Sequence, residues 1–458
     1  MRRAPVGISL AWLTVAFSVP FVGAAVYLLF GEKRLGRRRS MSLRRNIPYR
    51  DRWLAKARDT LEPAGDVASG IGALLLRQAE RASGFPALRG NDLELLPGSD
   101  AFFDGLIRDI DAARHRIHLG FYIWHPGGRV DELADALIRA TARGVQCRAL
   151  ADAVGSKHFR RSDTFRRLQT AGVAMVDTLP TGPLHMLFVR ADLRNHRKIA
   201  VIDSNIAYVG SQNLVDPRYF KRDAGVGEWV DAMVRFSGPA ATVLDSVFGL
   251  DWAVETGTDF LDLAEPETNA GADAANTAVI QITPSGPDVH PEAIHWTLLY
   301  AIYAARREIV LSTPYFVPDD SILTALLSAA TRGVEVTLII PARNDSLFVR
   351  HASVASFDQL MQAGVRIALF ERGFLHTKSL TIDGEVGLFG SVNLDMRSVW
   401  LNFEISLIIA DSNFTARLCE LQRSYLPACT WLDADIWRRR PARQRFLSNA
   451  LRLLGPLI

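Results

Sequence analysis

The sequence predicts an α/β protein with two tandem domains, each a mixed sheet flanked by helices, preceded by one transmembrane helix. Three features carry this prediction: an uncharged run near the N-terminus, a repeated order of strands and helices, and a motif that occurs twice. The chain has 458 residues, which is enough for two domains that each bury a core. Its composition, with 48% hydrophobic and 22% charged residues, is typical of a globular protein.

The first 45 residues predict a membrane anchor. Residues 6–30 carry no charge and would extend about 38 Å as a helix, more than the roughly 30 Å thickness of a bilayer core. A cleaved signal peptide is the alternative, but the run is too long and lacks a clear small-residue cleavage site. Seven basic residues follow the run and two precede it. The excess positive charge therefore predicts that the bulk of the protein is cytoplasmic.

The net charge of +4 is unevenly distributed along the chain. Residues 1–45 carry +8 and residues 436–458 carry +6, which leaves −10 for the body between them. Because a nucleic-acid backbone requires a basic face, we expect no nucleic-acid binding. The basic ends suit an anionic membrane. Residues 436–458 have the make-up of an amphipathic helix at such a surface, with a packed C-terminal core helix as the alternative.

The body contains an internal repeat. The predicted order of strand, helix and strand occurs at 116–124, 130–143 and 144–152, and again at 308–317, 321–332 and 333–341. Strands that alternate with helices favour a mixed α/β fold in each half. An Ala-, Asp- and Glu-rich stretch separates the halves. The predicted division is an anchor with its basic flank at 1–45, a first domain at 46–262, a linker at 263–277 and a second domain at 278–458.

A motif of the form His-x-Lys-x₄-Asp occurs once in each half, as "NHRKIAVID" and "LHTKSLTID". Each copy is predicted to form a strand, a turn and a returning strand that ends in Gly-Ser-x-Asn. Residues i and i+2 of a strand share a face, so His and Lys project together, and the turn brings Ser and Asn beside them. The candidate site residues are His196, Lys198, Ser211 and Asn213 in the first half, and His376, Lys378, Ser391 and Asn393 in the second.

These groups suit a phosphodiester. A single His-x-Lys is usually a half-exposed surface pair, but only six of the 53 basic residues are Lys, and both motif positions are Lys. One imidazole can attack phosphorus while the other protonates the leaving alkoxide. The lysines, with Ser and Asn donors, would stabilise the oxygens of the transition state. We therefore expect neither a metal nor a cofactor.

The duplicated motif resembles that of the phospholipase D superfamily. Longer phrases, such as "GSQNLVDPRYFKRDAGVGEWVD" and "GSVNLDMRSVWLNFEISL", are similar to bacterial cardiolipin synthases of the major inner-membrane type. The resemblance covers nearly the whole chain. It implies two phospholipase D-like domains that share one active site on the cytoplasmic side of the bacterial inner membrane. It also implies transfer of a phosphatidyl group from one phosphatidylglycerol to another, which releases glycerol.

The same resemblance implies roles for individual residues. By analogy, His196 forms a phosphohistidine and His376 acts as acid and then as base, although the matching motifs leave the reverse assignment open. Asp203 and Asp383 complete the catalytic motif. Because their parity is opposite to that of His and Lys, we expect them to brace the turn.

Two further carboxylates and two alternatives complete the predictions. Asp231 in "WVDAMV" and Glu404 in "NFEISL" occupy equivalent places after the motifs, and we expect them to hold the imidazoles in one tautomer. The alternative is that both residues are ordinary carboxylates at the edge of a strand, without an orienting role. The alternative activity is phospholipase D-type hydrolysis, which uses the same groups with water as acceptor. The similar enzymes commonly begin with two membrane helices, whereas residues 6–30 have room for one.

Overall fold

Helices and strands alternate along the described part of the chain, which in this computed structural model comprises residues 6–31, 34–61, 64, 70–182, 189–190, 192–260, 278–288 and 291–441. The α-helices are α1 (Val6–Ser18), α2 (Pro20–Phe30), α3 (Arg37–Thr60), α4 (Gly70–Ser83), α5 (Ser99–Ala112), α6 (Arg129–Ala142), α7 (Asp163–Thr170), α8 (Pro239–Thr256), α9 (Ala293–Ala304), α10 (Asp320–Thr331), α11 (Leu347–Val354), α12 (Phe357–Gln362), α13 (Met396–Trp400), α14 (Ser412–Tyr425) and α15 (Ala434–Arg438). The strands are β1 (Ala87–Pro97), β2 (Arg116–Phe121), β3 (Gln146–Asp152), β4 (Ala174–Thr178), β5 (Lys198–Ile202), β6 (Ile206–Gly210), β7 (Trp229–Val230), β8 (Ala232–Ser237), β9 (Ala278–Ser285), β10 (Glu308–Ser312), β11 (Phe316–Val317), β12 (Glu335–Pro341), β13 (Arg366–Phe370), β14 (Phe374–Leu375), β15 (Ser379–Ile382), β16 (Val386–Gly390), β17 (Leu394–Asp395), β18 (Glu404–Ala410) and β19 (Cys429–Trp431).

One 15-stranded sheet runs through both halves, and its order repeats. The first half has the order β1-β8-β6-β5-β2-β3-β4, and the second has the matching order β9-β18-β16-β15-β10-β12-β13, with β19 added at the far edge. The two halves join through β1 and β9, which pair antiparallel. Each half mixes parallel and antiparallel neighbours. The predicted mixed α/β fold of each half is therefore confirmed.

Helices cover both faces of this sheet. On one face of the first half, α5 and α6 bury Phe102 and Leu133 against residues such as Leu119. The other face packs against α8 of the first half and α14 of the second. Phe248 and Phe414, from these two helices, belong to one continuous buried cluster over the central strands. Burial of an aromatic side chain of this size stabilises a fold by about 1.5–3 kcal/mol, so this shared core holds the halves together.

Each motif forms the strand, turn and returning strand that the sequence predicts. The motif strands β5 and β15 pair antiparallel with β6 and β16. The turns between them contain Asp203 and Ser204 in one half and Asp383 and Gly384 in the other, all with positive φ. Positive φ at both central residues matches the twist of a tight hairpin, and aspartate tolerates this region better than most residues do. The turns hold the register of both motif strands.

The predicted single helix over residues 6–30 is wrong. The structure has α1 and α2 there, with a break at Val19 and Pro20. Proline lacks an N–H and its ring clashes with the preceding helical turn, so α2 begins at Pro20. The helices fold back on each other, since the rings of Trp12 and Tyr27 lie 5.4 Å apart between centroids. None of the helices in the described ranges is long and apolar enough to cross a membrane.

Two predictions concern parts of the chain beyond the described residues. The linker at 263–277 lies outside them, as does the segment 442–458, which makes up most of the basic C-terminal stretch. Just before that segment, the chain forms the short helix α15, and the ring of Trp437 in this helix lies 5.6 Å from that of Phe357 between centroids.

Candidate active site

The two motif histidines are each held by backbone from the opposite half. The backbone N–H of His196 donates to the carbonyl oxygen of Phe403 at 2.9 Å, and that of His376 donates to the carbonyl of Val230 at 2.8 Å. Short parallel pairing of β14 with β7 supports the second contact. Each histidine also lies two residues before its motif lysine, at the entrance to a strand of the main sheet. The junction of the halves thereby fixes where both imidazoles lie.

The orienting carboxylates cross between the halves. Nδ1 of His196 lies 2.9 and 3.0 Å from the two carboxylate oxygens of Glu404. Nδ1 of His376 lies 2.7 Å from Oδ1 of Asp231. Each carboxylate is fully or almost fully buried and comes from the half that does not supply its histidine. An Nδ1–H bonded to a carboxylate leaves Nε2 with its lone pair, so the crossed pairs set one tautomer in both rings.

One cavity of about 270 Å³ contains both imidazoles. His196 and His376 line it together with Asn213 and Asn393, the amides of the two Gly-Ser-x-Asn segments. Nδ2 of Asn213 and Oδ1 of Asn393 are buried without a protein partner. A buried polar atom without a partner is costly, so these amides are ready to bind a ligand in the cavity. The structure thus brings four predicted residues to a single space.

The two motif lysines lie just behind the histidines. Both are buried, and Nζ of Lys198 and Nζ of Lys378 each donate at 2.6 Å to the backbone carbonyl of the histidine two residues earlier. Burial lowers the pKa of Lys198 to about 7, an effect that the nearby Glu404 opposes. Burial also lowers the pKa of Lys378 well below its usual range. A phosphate anion in the cavity would favour the charged form of both ammonium groups.

Burial dominates the protonation of the imidazoles as well. It lowers the pKa of His196 to about 4 and that of His376 to about 3, against the opposing charges of Glu404 and Asp231. Burial would raise the pKa of each carboxyl, but the facing imidazole and lysine leave the pKa of both Asp231 and Glu404 below its ordinary value. The site therefore holds neutral imidazoles, ionised carboxylates and an unprotonated Nε2 on each ring, as nucleophilic attack requires.

The motif aspartates lie at the turns and contact backbone. The carboxylate of Asp203 accepts the backbone N–H groups of residues 114, 115 and 116 at 2.8–2.9 Å. Asp383 accepts those of residues 306, 307 and 308 at 2.7–2.9 Å. Neither lines the cavity. Their geometry fits the bracing role that strand parity predicts. Although both aspartates belong to the same motif as the histidines and lysines, they contact the backbone of the turn region and not the cavity.

The motif serines contact the orienting carboxylates. Oγ of Ser211 donates to Asp231, and Oγ of Ser391 donates to Glu404. Neither serine lines the cavity, so they fix the carboxylates and do not face a ligand there. Each of these bonds stays within one half, whereas the carboxylate-to-imidazole bond crosses. The six side chains therefore form two relays, each running from a serine through a carboxylate to the imidazole of the other half.

The sequence argument did not identify several residues of the cavity wall. Arg194, Lys221 and Arg397 line the cavity as additional cations. Lys221 is one of only six lysines in the chain, but it lies outside the repeated motif on which the scarcity argument depends. The arginines carry no such signal, because arginine is the usual cation in this sequence. Three aromatic side chains also line the cavity: Tyr122 beside His196, Trp229 beside His376, and Tyr315.

Fold and site together define a duplicated protein of the phospholipase D class, with one cavity built from two His-Lys motifs. The family model described as "Cardiolipin synthase, PLD-like domain" matches residues 106–230 and again residues 298–423. The chain belongs to this cardiolipin synthase family.

Curated relatives and solved structures agree with that assignment. The chain is 44% identical over 459 aligned positions to cardiolipin synthase A of Yersinia pseudotuberculosis serotype O:3 (strain YPIII), covering 100% of this chain and 94% of the relative. The identity and coverage are the same for cardiolipin synthase A of Yersinia pestis. The crystal structure of a Haemophilus influenzae phosphatidylserine synthase superposes with a TM-score of 0.62, covering 84% of this chain and 100% of that one at 14% identity. That structure supports the fold.

Proposed function

We propose that this protein is a cardiolipin synthase that transfers a phosphatidyl group from one phosphatidylglycerol to another, giving cardiolipin and glycerol. Two histidines in one cavity, each oriented by a carboxylate of the opposite half, carry the proposal. Membership of the cardiolipin synthase family supports the choice of lipid. In this proposal residues 46–262 and 278–458 act as the two domains of one enzyme.

The first step makes a phosphohistidine. Nε2 of His196 attacks the phosphorus of the donor lipid, the bond from phosphorus to the glycerol oxygen breaks, and His376 gives its proton to the leaving alkoxide. Lys198 and Lys378 stabilise the charge on the non-bridging oxygens, with the amides of the cavity wall. Free glycerol leaves, and the diacylglycerol phosphate stays on His196.

The second step reverses the first with a new alcohol. A hydroxyl of the second phosphatidylglycerol gives its proton to His376 and bonds to phosphorus, while the bond from phosphorus to His196 breaks. The acid in the first step needs one protonated imidazole, although burial favours the neutral form of both. A bound phosphodiester carries a negative charge, which raises the pKa values of both imidazoles. The pair of imidazoles then holds one proton between them, which serves as the acid.

Product analysis tests this function. Purified protein in detergent micelles with labelled phosphatidylglycerol is expected to yield cardiolipin and glycerol in equal amounts, identified by mass spectrometry. The control is the His158→Gln variant, which changes an exposed histidine and is expected to behave like the wild type. Phosphatidic acid as the main product would instead support phospholipase D-type hydrolysis.

We also propose that residues 6–30 attach the protein to an anionic membrane, with the body on the cytoplasmic side of the inner membrane. Support comes from the apolar side chains that the hairpin leaves open to solvent, among them Phe17 at 80% and Phe21 at 92% exposed. The basic residues that follow the hairpin favour the cytoplasmic side. Deletion of residues 1–31 is expected to move the protein from the membrane to the soluble fraction. A C-terminal reporter active only outside the inner membrane would contradict the orientation.

A further inference from the structure

The two asparagines of the Gly-Ser-x-Asn segments present opposite ends of their amides to the cavity that both line. Oδ1 of Asn213 accepts the backbone N–H of Ile123 at 3.1 Å, which leaves Nδ2 buried and without a partner among the described residues. Asn393 is turned the other way. Its side chain hydrogen-bonds the carboxylate of Asp395, which requires the amide Nδ2 as donor, and its Oδ1 is buried without a described partner. The first half therefore offers a donor to a ligand, and the second half offers an acceptor.

Asp395 adds a carboxylate to the side that offers acceptors. Among the described residues that line the cavity, it is the only acidic one. Its Oδ1 accepts the backbone N–H of Ser398 at 2.7 Å and caps α13. Burial raises the pKa of Asp395, while its hydrogen bonds and the charge of Arg397 oppose this rise. The same position of the first half has Val215, which is apolar and buried, so the carboxylate occurs in one half only.

Asn393 and Asp395 belong to the half that supplies His376. Strand β17 ends at Asp395 and pairs in parallel with β11, whose Val317 also lines the cavity. Burial lowers the pKa of Lys378, and the charge of Asp395 is among those that oppose this effect. Lys378 in turn donates to the backbone carbonyl of His376. Asp395 is therefore close to the lysine behind the imidazole that the proposed mechanism uses as acid and base.

Acceptor atoms select a hydroxyl over a phosphate. The non-bridging oxygens of a phosphodiester carry no hydrogen, so they cannot donate to a carboxylate or to an amide oxygen, and the carboxylate repels their charge. A hydroxyl can donate to either group, and its bond to a carboxylate is charge-assisted. The glycerol headgroup has such a hydroxyl on its central carbon, next to the carbon whose oxygen reacts in both steps of the proposed transfer.

We propose that Asp395 and Asn393 form an alcohol subsite, which accepts a hydrogen bond from the central hydroxyl of the glycerol headgroup. This inference rests on the proposed function and names what selects the alcohol. The subsite holds the leaving glycerol in the first step and the headgroup of the second lipid in the next step. When the terminal hydroxyl of that headgroup attacks, its O–P bond forms, the N–P bond to His196 breaks and the proton goes to His376. The central hydroxyl keeps its proton and stays hydrogen-bonded to the subsite.

Competition between two small alcohols tests the subsite. The donor is a phosphatidyl ester of p-nitrophenol, whose leaving group has no free hydroxyl, so only the incoming alcohol can use the subsite. The protein receives 1,2-propanediol and 1-propanol at equal concentrations, and mass spectrometry measures the two phosphatidyl products. Both alcohols react with the same phosphohistidine, so the product ratio reports the discrimination between them. The wild type is expected to favour the diol about tenfold, the effect of one charge-assisted hydrogen bond.

Asp395→Ser removes the carboxylate and keeps an oxygen that can cap α13. This variant is expected to bring the product ratio to within about twofold of one. Asp395→Asn keeps the shape of the side chain without its charge, so it is expected to lower the ratio about threefold. The matched control is Asp411→Ser, because Asp411 caps α14 through the backbone N–H of Phe414 at 2.7 Å and does not line the cavity. This control is expected to keep the wild-type ratio.

A wild-type ratio in both Asp395 variants would overturn the subsite, as would a wild-type protein without preference for the diol. An equal fall in Asp411→Ser would assign the effect to helix capping and would also overturn the subsite. The synthase function fails in a different way. Wild-type protein that forms only phosphatidic acid in the presence of both alcohols would refute transfer itself, and the subsite with it.

Discussion

The surroundings of the two motif histidines differ, although their motifs match. Two residues before His196 the chain has Arg194, and two residues before its carboxylate partner it has Asn402. The amide of Asn402 donates to Glu404 at 3.2 Å. At the equivalent positions around His376, the chain has Phe374 and Trp229, whose rings lie 5.8 and 4.2 Å from the imidazole between centroids. At these two positions His196 therefore has polar side chains and His376 has aromatic ones, although the Tyr122 ring also lies 4.9 Å from His196 between centroids.

The shared groups and the differing groups around the two imidazoles meet different requirements. Both imidazoles need the same tautomer, so both have a buried carboxylate, a serine behind it and a lysine two residues on. In the proposed mechanism the two imidazoles have different roles, and the side chains around them differ as well. The aromatic rings around His376 would exclude water from the imidazole proposed to activate the incoming alcohol, which would favour transfer over hydrolysis.

The largest predicted effect comes from removing either imidazole. His196→Ala and His376→Ala are each expected to lower cardiolipin formation by about 10³-fold or more, since each removes one partner of the transfer. A lipid ester with a p-nitrophenyl leaving group needs no acid, so it separates the two roles. With this substrate His376→Ala is expected to release one equivalent of nitrophenol and to retain a phosphohistidine.

With the same substrate, His196→Ala is expected to show no burst, that is, no rapid initial release of nitrophenol. A burst in His196→Ala and none in His376→Ala would reverse the assignment of nucleophile and acid. The measurement is stopped-flow absorbance of nitrophenol together with mass spectrometry of the intact protein. His158→Gln serves as the control for an exposed histidine.

The crossed carboxylates are expected to give a smaller effect, about 10²-fold. Glu404→Gln disturbs His196 and so slows formation of the phosphohistidine, which appears as a slower burst. Asp231→Asn disturbs His376 and so slows release of the intermediate, which leaves the burst intact and lowers the steady rate. If each carboxylate served the histidine of its own half, these two phenotypes would be exchanged.

Opening the aromatic wall is expected to change the products more than the total rate. Trp229→Leu removes the indole that covers His376 and admits water to the activating imidazole. The ratio of phosphatidic acid to cardiolipin is expected to rise about threefold to tenfold, measured by mass spectrometry. Asn402→Leu is the matched change at the equivalent position of the other half, and it is expected to leave this ratio near the wild-type value.

The smallest predicted effect is on stability at mildly acidic pH. Burial lowers the pKa of both histidines in the folded state, so the unfolded chain takes up protons first as the pH falls below about 6.5. Stability is therefore present above that value and is lost as the pH falls toward 4. Each histidine is expected to account for about 1–2 kcal/mol of the loss between pH 7 and 5.

Urea unfolding of the wild type, His196→Gln and His376→Gln at both pH values measures this loss. The glutamine variants are expected to lose less stability on acidification than the wild type, and by similar amounts. An equal loss in all three proteins would show that other groups control the acid response.

Local sequence was sufficient for the repeated elements. Alternating apolar residues and β-branched side chains predict β5 and β15, and the turn residues after them predict the hairpins. Strand parity also places Asp203 and Asp383 away from the histidines, since alternation along a strand is a local property. Hydropathy predicts one helix over 6–30, because proline is tolerated in membrane helices, whereas in the structure Pro20 begins a second helix.

By itself the sequence predicted which groups make up the candidate site: two imidazoles, two lysines and two carboxylates in equivalent places. The tertiary structure decided which group serves which. Glu404 orients His196 and Asp231 orients His376 because the halves pack with their motif edges together, so the nearest carboxylate to each ring belongs to the other half. The cavity lining likewise combines Arg194 with Arg397, which are 203 positions apart in the chain. Spacing along a sequence carries no information about distances across such an interface, because those distances are set by packing of the shared core.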